Sequence, residues 1–197
     1  YDLFGGGGAM SFEFLQHEQI KQVYYNEFNT GVVELLQDII KNGVTEKYYK
    51  WISREEFHAH KNDNNWYGGL ISTCWSFGNN QQTYLFGQEN EQLKKPLHFA
   101  IVNQDGKYLK DFENITGLSV PFELLNFDTI NERRLKVMAW IKKNKGRTGL
   151  EQLEQFEQLQ RLERLEQLEQ LNISNLSYQN VKIETPVDKT IIYLDPP

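Results

Sequence analysis

The chain has 197 residues, a formal net charge of −6 and 39% hydrophobic residues, enough for one α/β domain with a smaller insertion. No apolar run is long enough to cross a membrane, and no signal-peptide pattern is present. The single cysteine, Cys74, excludes an internal disulfide framework and a cysteine-rich zinc site, and it fits the reducing cytoplasm in which we expect the protein.

The first 43 residues predict a strand, helix, strand, helix order, which is typical of the start of a parallel sheet. Residues 2–4 close a first strand, four glycines follow at 5–8, and residues 9–19 resume a helical pattern. Residues 23–25 predict a short second strand. Apolar residues then recur at helical spacing from 32 to 40, until Asn42 and Gly43 end the helix. We therefore expect residues 1–43 to be the first part of a cofactor-binding α/β domain.

Residues 44–148 lose that rhythm and are rich in aromatic and polar residues, which favours a mainly helical insertion with irregular loops. Residues 131–144 predict one helix. A basic block without any acid runs from 133 to 147, and its members are Arg133, Arg134, Lys136, Lys142, Lys143, Lys145 and Arg147. Such a block can contact phosphates despite the acidic total, and a solvated helix face is the alternative of similar weight.

Residues 149–172 are a low-complexity segment in which Leu-Glu-Gln repeats with a period of three. On an α-helix each repeat moves the leucine back by about 60°, so seven repeats circle the helix and leave no single apolar face. A 3₁₀-helix would align the leucines but is rarely that long, and a leucine-lined solenoid turn is the other possibility. We interpret the segment as an expanded insertion with a structural role.

The chain returns to the catalytic α/β domain at residues 173–197. The β-forming residues 190–194 predict a buried strand, and Asp195, Pro196 and Pro197 follow it directly. Two successive prolines cannot continue a hydrogen-bonded ladder, so the strand must end there and present Asp195 at its tip. In open α/β sheets that tip is where ligands bind.

Three elements at predicted strand ends could carry chemistry. Glycines after a strand let a ligand approach the backbone, and the next helix offers its positive end. Glu27, at the second strand end, could accept hydrogen bonds from ribose hydroxyls, and Asp195 could accept one from an exocyclic amino group. Each has a structural alternative: a flexible turn, an acid favoured by the helix dipole, and a strand-ending turn. Their order on one framework is more specific than any one alone.

Histidine and cysteine offer weaker candidates. His17, His58, His60 and His98 lack a supporting cluster of ligands, so we interpret them as surface histidines and expect no metal site. The neighbours of Cys74 are aromatic, which favours a buried packing role over a nucleophile.

The order of motifs resembles the Dam-like (D12 class) DNA adenine-N6 methyltransferases. Asp2, Phe4, Gly6 and Gly8 match the family loop that holds S-adenosylmethionine, and Glu27 stands in the place of the ribose-binding acid. Asp195, Pro196 and Pro197 match the catalytic motif. Residues 75–80, followed by Tyr84 and His98, are similar to the insertion of phage-type members. The resemblance implies a Rossmann-like S-adenosylmethionine-dependent methyltransferase sheet with a mainly helical target-recognition insertion.

The resemblance also implies a reaction and its partners. A methyl group would pass directly from S-adenosylmethionine to N6 of an adenine flipped out of double-stranded DNA, with the basic block on phosphates. A monomer encoded together with a restriction enzyme would be expected. Transfer to cytosine N4, RNA or protein, and a non-catalytic DNA-binding remnant, are the alternatives.

Two family features do not occur in the 197 residues: the Trp-Ala-Gly-Gly-Lys-like segment and the aromatic residue after Asp-Pro-Pro. We therefore expect a fragment that is truncated at both ends and inactive by itself.

Overall fold

The computed structural model describes residues 1–144, 157–166 and 171–196. The helices and strands are α1 (Ala9–Leu15), β1 (Val23–Asn26), α2 (Thr30–Asn42), α3 (Arg54–His60), α4 (Trp66–Cys74), α5 (Gln88–Asn103), α6 (Gly106–Thr116), α7 (Ile130–Asn144), α8 (Glu157–Glu166) and β2 (Leu171–Ser174). Short 3₁₀ turns lie at Glu46–Tyr49, Phe77–Asn79, Phe122–Leu125, Tyr178–Asn180 and Val187–Lys189. Within the described ranges, we find no helix with the length and apolarity that a membrane span needs.

The chain forms two compact units. The first comprises Tyr1–Tyr48, Ile52–Tyr84 and Arg161–Pro197, and the second comprises Tyr49–Trp51 and Leu85–Gln160. This division departs from the predicted insertion at 44–148, because residues 52–84 pack with the unit that holds both strands. The physical reason is a close helix contact described below.

A small parallel sheet organises the first unit. β1 and β2 pair in parallel, with Val23 opposite Leu171 and Asn26 opposite Ser174. Asp2 forms parallel bridges both to Tyr25 and to Tyr193. The extended segments therefore lie in the order 193, 2, 25, 173, and their carboxyl ends share one edge. The prediction of helices combined with a parallel sheet is confirmed at this level.

Residues 190–194 are not the buried strand that the sequence predicts. They pair with residues 1–3, but only Tyr193 forms a bridge. The apolar residues beside it are largely exposed: Ile191 by 63%, Ile192 by 48% and Leu194 by 58%. The turn Val187–Lys189 directly precedes them and shortens the extended segment. A β-forming composition favours pairing, whereas burial also requires a second layer of side chains over the face.

Helix α2 is placed as predicted and is fixed at both ends. The side chain of Asn29 accepts hydrogen bonds from the N–H groups of Gly31 and Val32, and Gly43 ends the helix with φ +69°. The apolar face is buried, and its members are Val32, Val33, Leu35, Leu36 and Ile39.

Helix α4 crosses α2 through two glycines. A Cβ atom on Gly69 would lie 2.0 Å from the carbonyl oxygen of Gly31, and one on Gly31 would lie 3.1 Å from the nitrogen of Gly69. Only glycine lets two backbones approach this closely. The contact joins residues 66–74 to the unit that contains the sheet.

The described part of the Leu-Glu-Gln segment is the helix α8. Leu159, Leu162 and Leu165 are all buried. Three leucines at a period of three span an arc of about 120° on an α-helix, which is narrow enough for one face. This stretch holds three repeats rather than seven, so the prediction that seven repeats leave no single apolar face stays a prediction. The rest of the repeat lies outside the described residues, apart from Leu171, which belongs to β2.

The second unit has a helical core that includes His98. The core is formed largely by α5, α6 and α7, and its central residues are Leu97, Ile101, Phe112, Leu125, Val137 and Ile141. The prediction of a surface histidine is wrong for His98, which is 1% exposed. Its Nε2 lies 2.8 Å from the carbonyl oxygen of Tyr49 and donates to it, while burial lowers the pKa to about 4. His98 is therefore a neutral packing residue.

Candidate functional site

A cavity of about 550 Å³ lies at the carboxyl edge of the sheet in the first unit. Five of the residues that the sequence singles out line it: Asp2, Phe4, Gly6, Glu27 and Asp195. Gly8 and Pro196 do not line it, and Pro197 lies outside the described residues. The structure thus brings the glycine loop, the second acid and the terminal motif to one place.

The glycine loop is packed tightly against Tyr25. A Cβ atom on Gly5 would lie 2.0 Å from a carbon of the Tyr25 ring. The Tyr25 hydroxyl donates a 2.6 Å hydrogen bond to the carbonyl oxygen of Gly6, whose φ of +48° suits glycine. Burial raises the pKa of Tyr25 well above its ordinary value, so this hydroxyl stays protonated and remains a donor. Both the ring and the hydroxyl of Tyr25 therefore contact the loop.

Glu27 holds the same loop from the other side. One carboxylate oxygen accepts the Gly6 N–H at 2.7 Å, and the other accepts the Asn29 N–H at 2.7 Å. Both groups of Gly6 are therefore bound by side chains from one stretch of chain. Each carboxylate oxygen has a second lone pair, so Glu27 can still accept hydrogen bonds from a ligand.

Asp2 is a buried acid with one unsatisfied oxygen. Its Oδ2 accepts a 2.8 Å hydrogen bond from the Ser11 hydroxyl, while its Oδ1 has no hydrogen bond of ordinary geometry. Burial raises the pKa of Asp2, and Ser11 together with the N–H group of Phe4 offsets part of that rise. A buried acceptor without a partner is costly.

Asn26 ties three chain segments together beneath the cavity. Its Nδ2 donates to the carbonyl oxygens of Leu3 and Leu176 at 3.2 and 3.0 Å. Its Oδ1 accepts from the Leu176 N–H at 3.0 Å and the Ser174 hydroxyl at 2.8 Å. The segment after β2 is thereby fixed as a cavity wall, where the ring of Tyr178 lies 5.1 Å from that of Phe4.

The sequence prediction missed this wall. Leu176, Ser177 and Tyr178 line the cavity. The available signal was the alternation of Leu171 and Ile173 with polar residues, which is typical of a half-buried strand. A strand there places the following residues at the ligand-binding edge.

A second missed wall comes from residues 76–84, here called the 76–84 hairpin. Ser76 and Tyr84 form an antiparallel bridge, and the N–H of Phe77 donates to Thr83 at 2.8 Å. Gly78 and Gln81 line the cavity. The Oε1 of Gln81 accepts a 2.7 Å hydrogen bond from Nδ2 of Asn29. The hairpin is therefore connected to the loop that positions Glu27.

Asp195 is exposed and lines the cavity, with Oδ2 3.5 Å from the Tyr193 hydroxyl. An exposed carboxylate is an acceptor that an incoming amino group can reach. Asp195 thus differs from Asp2, whose carboxylate is buried behind the same loop.

The basic block divides into exposed and buried members. Lys136, Lys142 and Lys143 are exposed, whereas Arg133 and Arg134 are 5% and 9% exposed. The two arginines precede the buried Val137 and Met138 by four residues, so they lie on the core-facing side of α7. The alternative of a solvated helix face therefore does not hold for these two arginines. Lys145 and Arg147 lie outside the described residues.

Cys74 is fully buried, as predicted, and burial raises the pKa of its thiol to about 12, so it is a poor nucleophile. In the part of the chain that the structure describes, no group of three or more His, Cys, Asp or Glu residues is arranged to hold a metal ion.

The family model described as D12 class N6 adenine-specific DNA methyltransferase matches residues 1–197. No curated protein matches significantly, and no solved structure does.

Proposed function

The chain belongs to the D12 class of N6 adenine-specific DNA methyltransferases, and from that membership we propose that the 550 Å³ cavity binds S-adenosylmethionine as the methyl donor. Members of this class methylate N6 of adenine in DNA. The observation that carries the proposal is the convergence of the glycine loop, Asp2, Glu27 and Asp195 on one cavity.

The residues around the cavity fit such a donor. The negative charge of Asp2, which lines the cavity, suits the ammonium group of the methionine part. The loop at Gly5 and Gly6 offers backbone without side chains, which lets a ligand lie close. Glu27 has free lone pairs for ribose hydroxyls. Phe4 and Gly8 complete the matched loop, Phe4 as part of the wall beside Tyr178.

Asp195 is proposed to act on the adenine. When bound, the cofactor supplies an electrophilic methyl group on a sulfonium centre. Asp195 accepts a hydrogen bond from the N6 amino group of an adenine that has left the base stack, and orients the nitrogen lone pair toward the cavity. With the methyl group supplied by the cofactor, the Asp195 carboxylate would accept the proton that N6 loses and release it to water. Pro196 and Pro197 restrict the backbone beside the carboxylate.

The exposed lysines of α7 are proposed to contact DNA phosphates. Lys136, Lys142 and Lys143 have the required exposure, and Lys145 and Arg147 remain proposed partners on the basis of sequence. Arg133 and Arg134 are left out of this set because they are buried.

Finer features also belong to the proposal. The parallel order 193, 2, 25, 173 supports a Rossmann-like methyltransferase sheet. A monomer and a companion restriction enzyme follow from the family resemblance alone.

The test uses the full-length protein and two matched variants. Asp195→Asn should keep S-adenosylmethionine affinity within about twofold, measured by calorimetry, and reduce methyl transfer to adenine-containing DNA by about 100-fold or more. Asp188→Asn, at an exposed position of the same unit, should transfer like the wild type. Asp195→Asn with wild-type transfer would remove Asp195 from the mechanism. Binding without transfer by the full-length wild type would support the non-catalytic remnant instead.

A further inference from the structure

The side chain of Arg161 in helix α8 contacts the carboxyl end of α4. The Nη1 of Arg161 lies 2.7 Å from the carbonyl oxygen of Ser76, 3.0 Å from that of Thr73 and 3.4 Å from that of Cys74. The sequence gives no hint of this contact, because Arg161 is one of two arginines in a repetitive acidic segment. The segment's predicted role was structural.

The chemistry of a helix end explains why an arginine is placed there. The last carbonyls of an α-helix have no N–H partner within the helix and carry partial negative charge. Thr73, Cys74 and Ser76 are buried, with exposures of 4%, 0% and 0%. Water therefore has little access to these carbonyl groups. Arg161 supplies both a positive charge and a planar fork of N–H donors.

The capped end continues directly into the cavity wall. Ser76 accepts from Arg161 and is also the first paired residue of the 76–84 hairpin. The Ser76 hydroxyl donates a 2.6 Å hydrogen bond to the carbonyl of Ser72, which fixes the exit from α4. Further along the hairpin, Gly78 and Gln81 line the cavity.

The hairpin then reaches the second acid. Gln81 accepts a hydrogen bond from Asn29, and the N–H of Asn29 donates to Glu27. Gln81 holds a φ of +57°, a conformation that non-glycine residues rarely adopt. Such a backbone persists only when its surroundings hold it. A contact that anchors the hairpin base therefore bears on the geometry of the wall.

We propose that Arg161 is a positioning residue of the methyl-transfer reaction, which fixes the 76–84 hairpin as a wall of the donor cavity by binding the carboxyl end of α4. The inference rests on the proposed function for the meaning of the cavity. If Arg161 has this role, the Leu-Glu-Gln segment contributes to the active site through a residue that contacts neither S-adenosylmethionine nor DNA.

The primary experiment compares two arginines of the same helix. Arg161→Gln removes the charge that reaches α4, and Arg164→Gln removes the charge of an exposed arginine one turn away. Arg161→Gln should raise the dissociation constant and KM for S-adenosylmethionine about tenfold, the effect of losing a charge-assisted hydrogen bond, with kcat within about twofold. Arg164→Gln should match the wild type. Equal behaviour of the two variants would overturn the proposal.

A double-mutant cycle separates positioning from general stability. If Arg161 acts through the hairpin, Arg161→Gln and Gln81→Ala should weaken donor binding less than additively when combined. Full additivity would contradict the proposed route. Arg161→Lys keeps the charge but not the fork, and should recover part of the lost affinity. It also keeps the comparison informative if Arg161→Gln does not fold.

Hydrogen exchange of the free protein distinguishes this inference from the proposed function. Arg161→Gln should speed exchange at the N–H of Phe77, which donates within the hairpin, and leave β1 unchanged. If Arg161→Gln exchanges faster but the wild type binds no S-adenosylmethionine, the contact between Arg161 and the hairpin is supported and the proposed binding site for S-adenosylmethionine is rejected. Unchanged exchange in Arg161→Gln, with donor binding intact, would reject the role of Arg161 alone.

Discussion

The ring of Tyr25 fills the space that a side chain on Gly5 would need, since an added Cβ atom would lie 2.0 Å from a ring carbon. The Tyr25 hydroxyl also binds the next carbonyl of the loop, at Gly6. Tyr25→Phe should therefore keep the fold and loosen the loop. We expect a severalfold increase in the dissociation constant for S-adenosylmethionine, because a net hydrogen bond contributes about 1 kcal/mol. Calorimetry measures it.

The neighbouring tyrosine provides a control for that substitution. Tyr24 precedes Tyr25 in β1, points to the opposite face and donates to the side chain of Gln22 at an exposed position. Tyr24→Phe should leave donor affinity unchanged. A similar loss in both variants would mean that the effect comes from the strand rather than from the glycine loop.

Asp2→Asn should be more stable than the wild type and should bind S-adenosylmethionine more weakly. Burial raises the pKa of Asp2, so the folded state binds this proton more tightly than the unfolded chain does. Stability therefore falls as pH rises from the ordinary pKa through the raised one, and the loss persists at neutral pH. Asparagine avoids that loss and can still accept the hydrogen bond from Ser11.

Thermal unfolding from pH 3 to pH 8 tests the predicted stability of Asp2→Asn, and calorimetry tests its affinity for S-adenosylmethionine. The Tm advantage of Asp2→Asn should be present at pH 7 and shrink toward pH 3, where Asp2 is protonated. The affinity for S-adenosylmethionine should fall about tenfold or more, since the negative charge beside its ammonium group is lost. A less stable variant at pH 7 would contradict the burial argument, and unchanged affinity would contradict the donor role.

Lys142→Gln combined with Lys143→Gln should weaken DNA binding and flatten its salt dependence. Each phosphate contact contributes about 0.9 to the slope of log K against log salt, so two lost contacts should lower it by about 1.8. Lys110→Gln, at another exposed lysine of the second unit, is the control and should leave the slope unchanged. An unchanged slope in the double variant would show that Lys142 and Lys143 do not contact phosphates.

Gly69→Ala should destabilise the first unit by about 1–3 kcal/mol, the usual cost of overpacking. The added methyl group would lie 2.0 Å from the carbonyl oxygen of Gly31, and neither helix backbone can move away cheaply. Urea unfolding measures the loss. Gly87→Ala is the comparison, because a Cβ atom there meets no atom within 4 Å. Equal changes in the two variants would contradict a close crossing of α2 and α4.

Local patterns in the sequence were sufficient where one element determines the outcome. The apolar spacing of α2 and its end at Gly43 follow from helix periodicity, and the positions of Glu27 and Asp195 follow from motif order. Contacts between distant segments leave no such pattern. The contact of Arg161 with α4 joins residues that are 85 to 88 positions apart, and no single stretch of sequence encodes it.

Burial was the property that sequence reasoning judged worst. Arg133 and Arg134 belong to a basic block, yet they share the helix face of Val137 and Met138. Residues 190–194 have the composition of an inner strand, but Ile191, Ile192 and Leu194 are exposed. In both cases charge or hydropathy was taken as a guide to position, whereas the packing of neighbouring elements decides it.

Side chains bind both the N–H and the carbonyl group of Gly6, and this links the register of β1 to activity. Tyr25 and Glu27 are two residues apart, so they project from the same face of the extended chain. A shift of β1 by one residue against β2 would turn both side chains away from the loop together. Mispaired molecules of this enzyme would then be folded in outline but unable to retain the methyl donor, so errors in folding would appear in an assay as a reduced number of active sites rather than as a slower reaction.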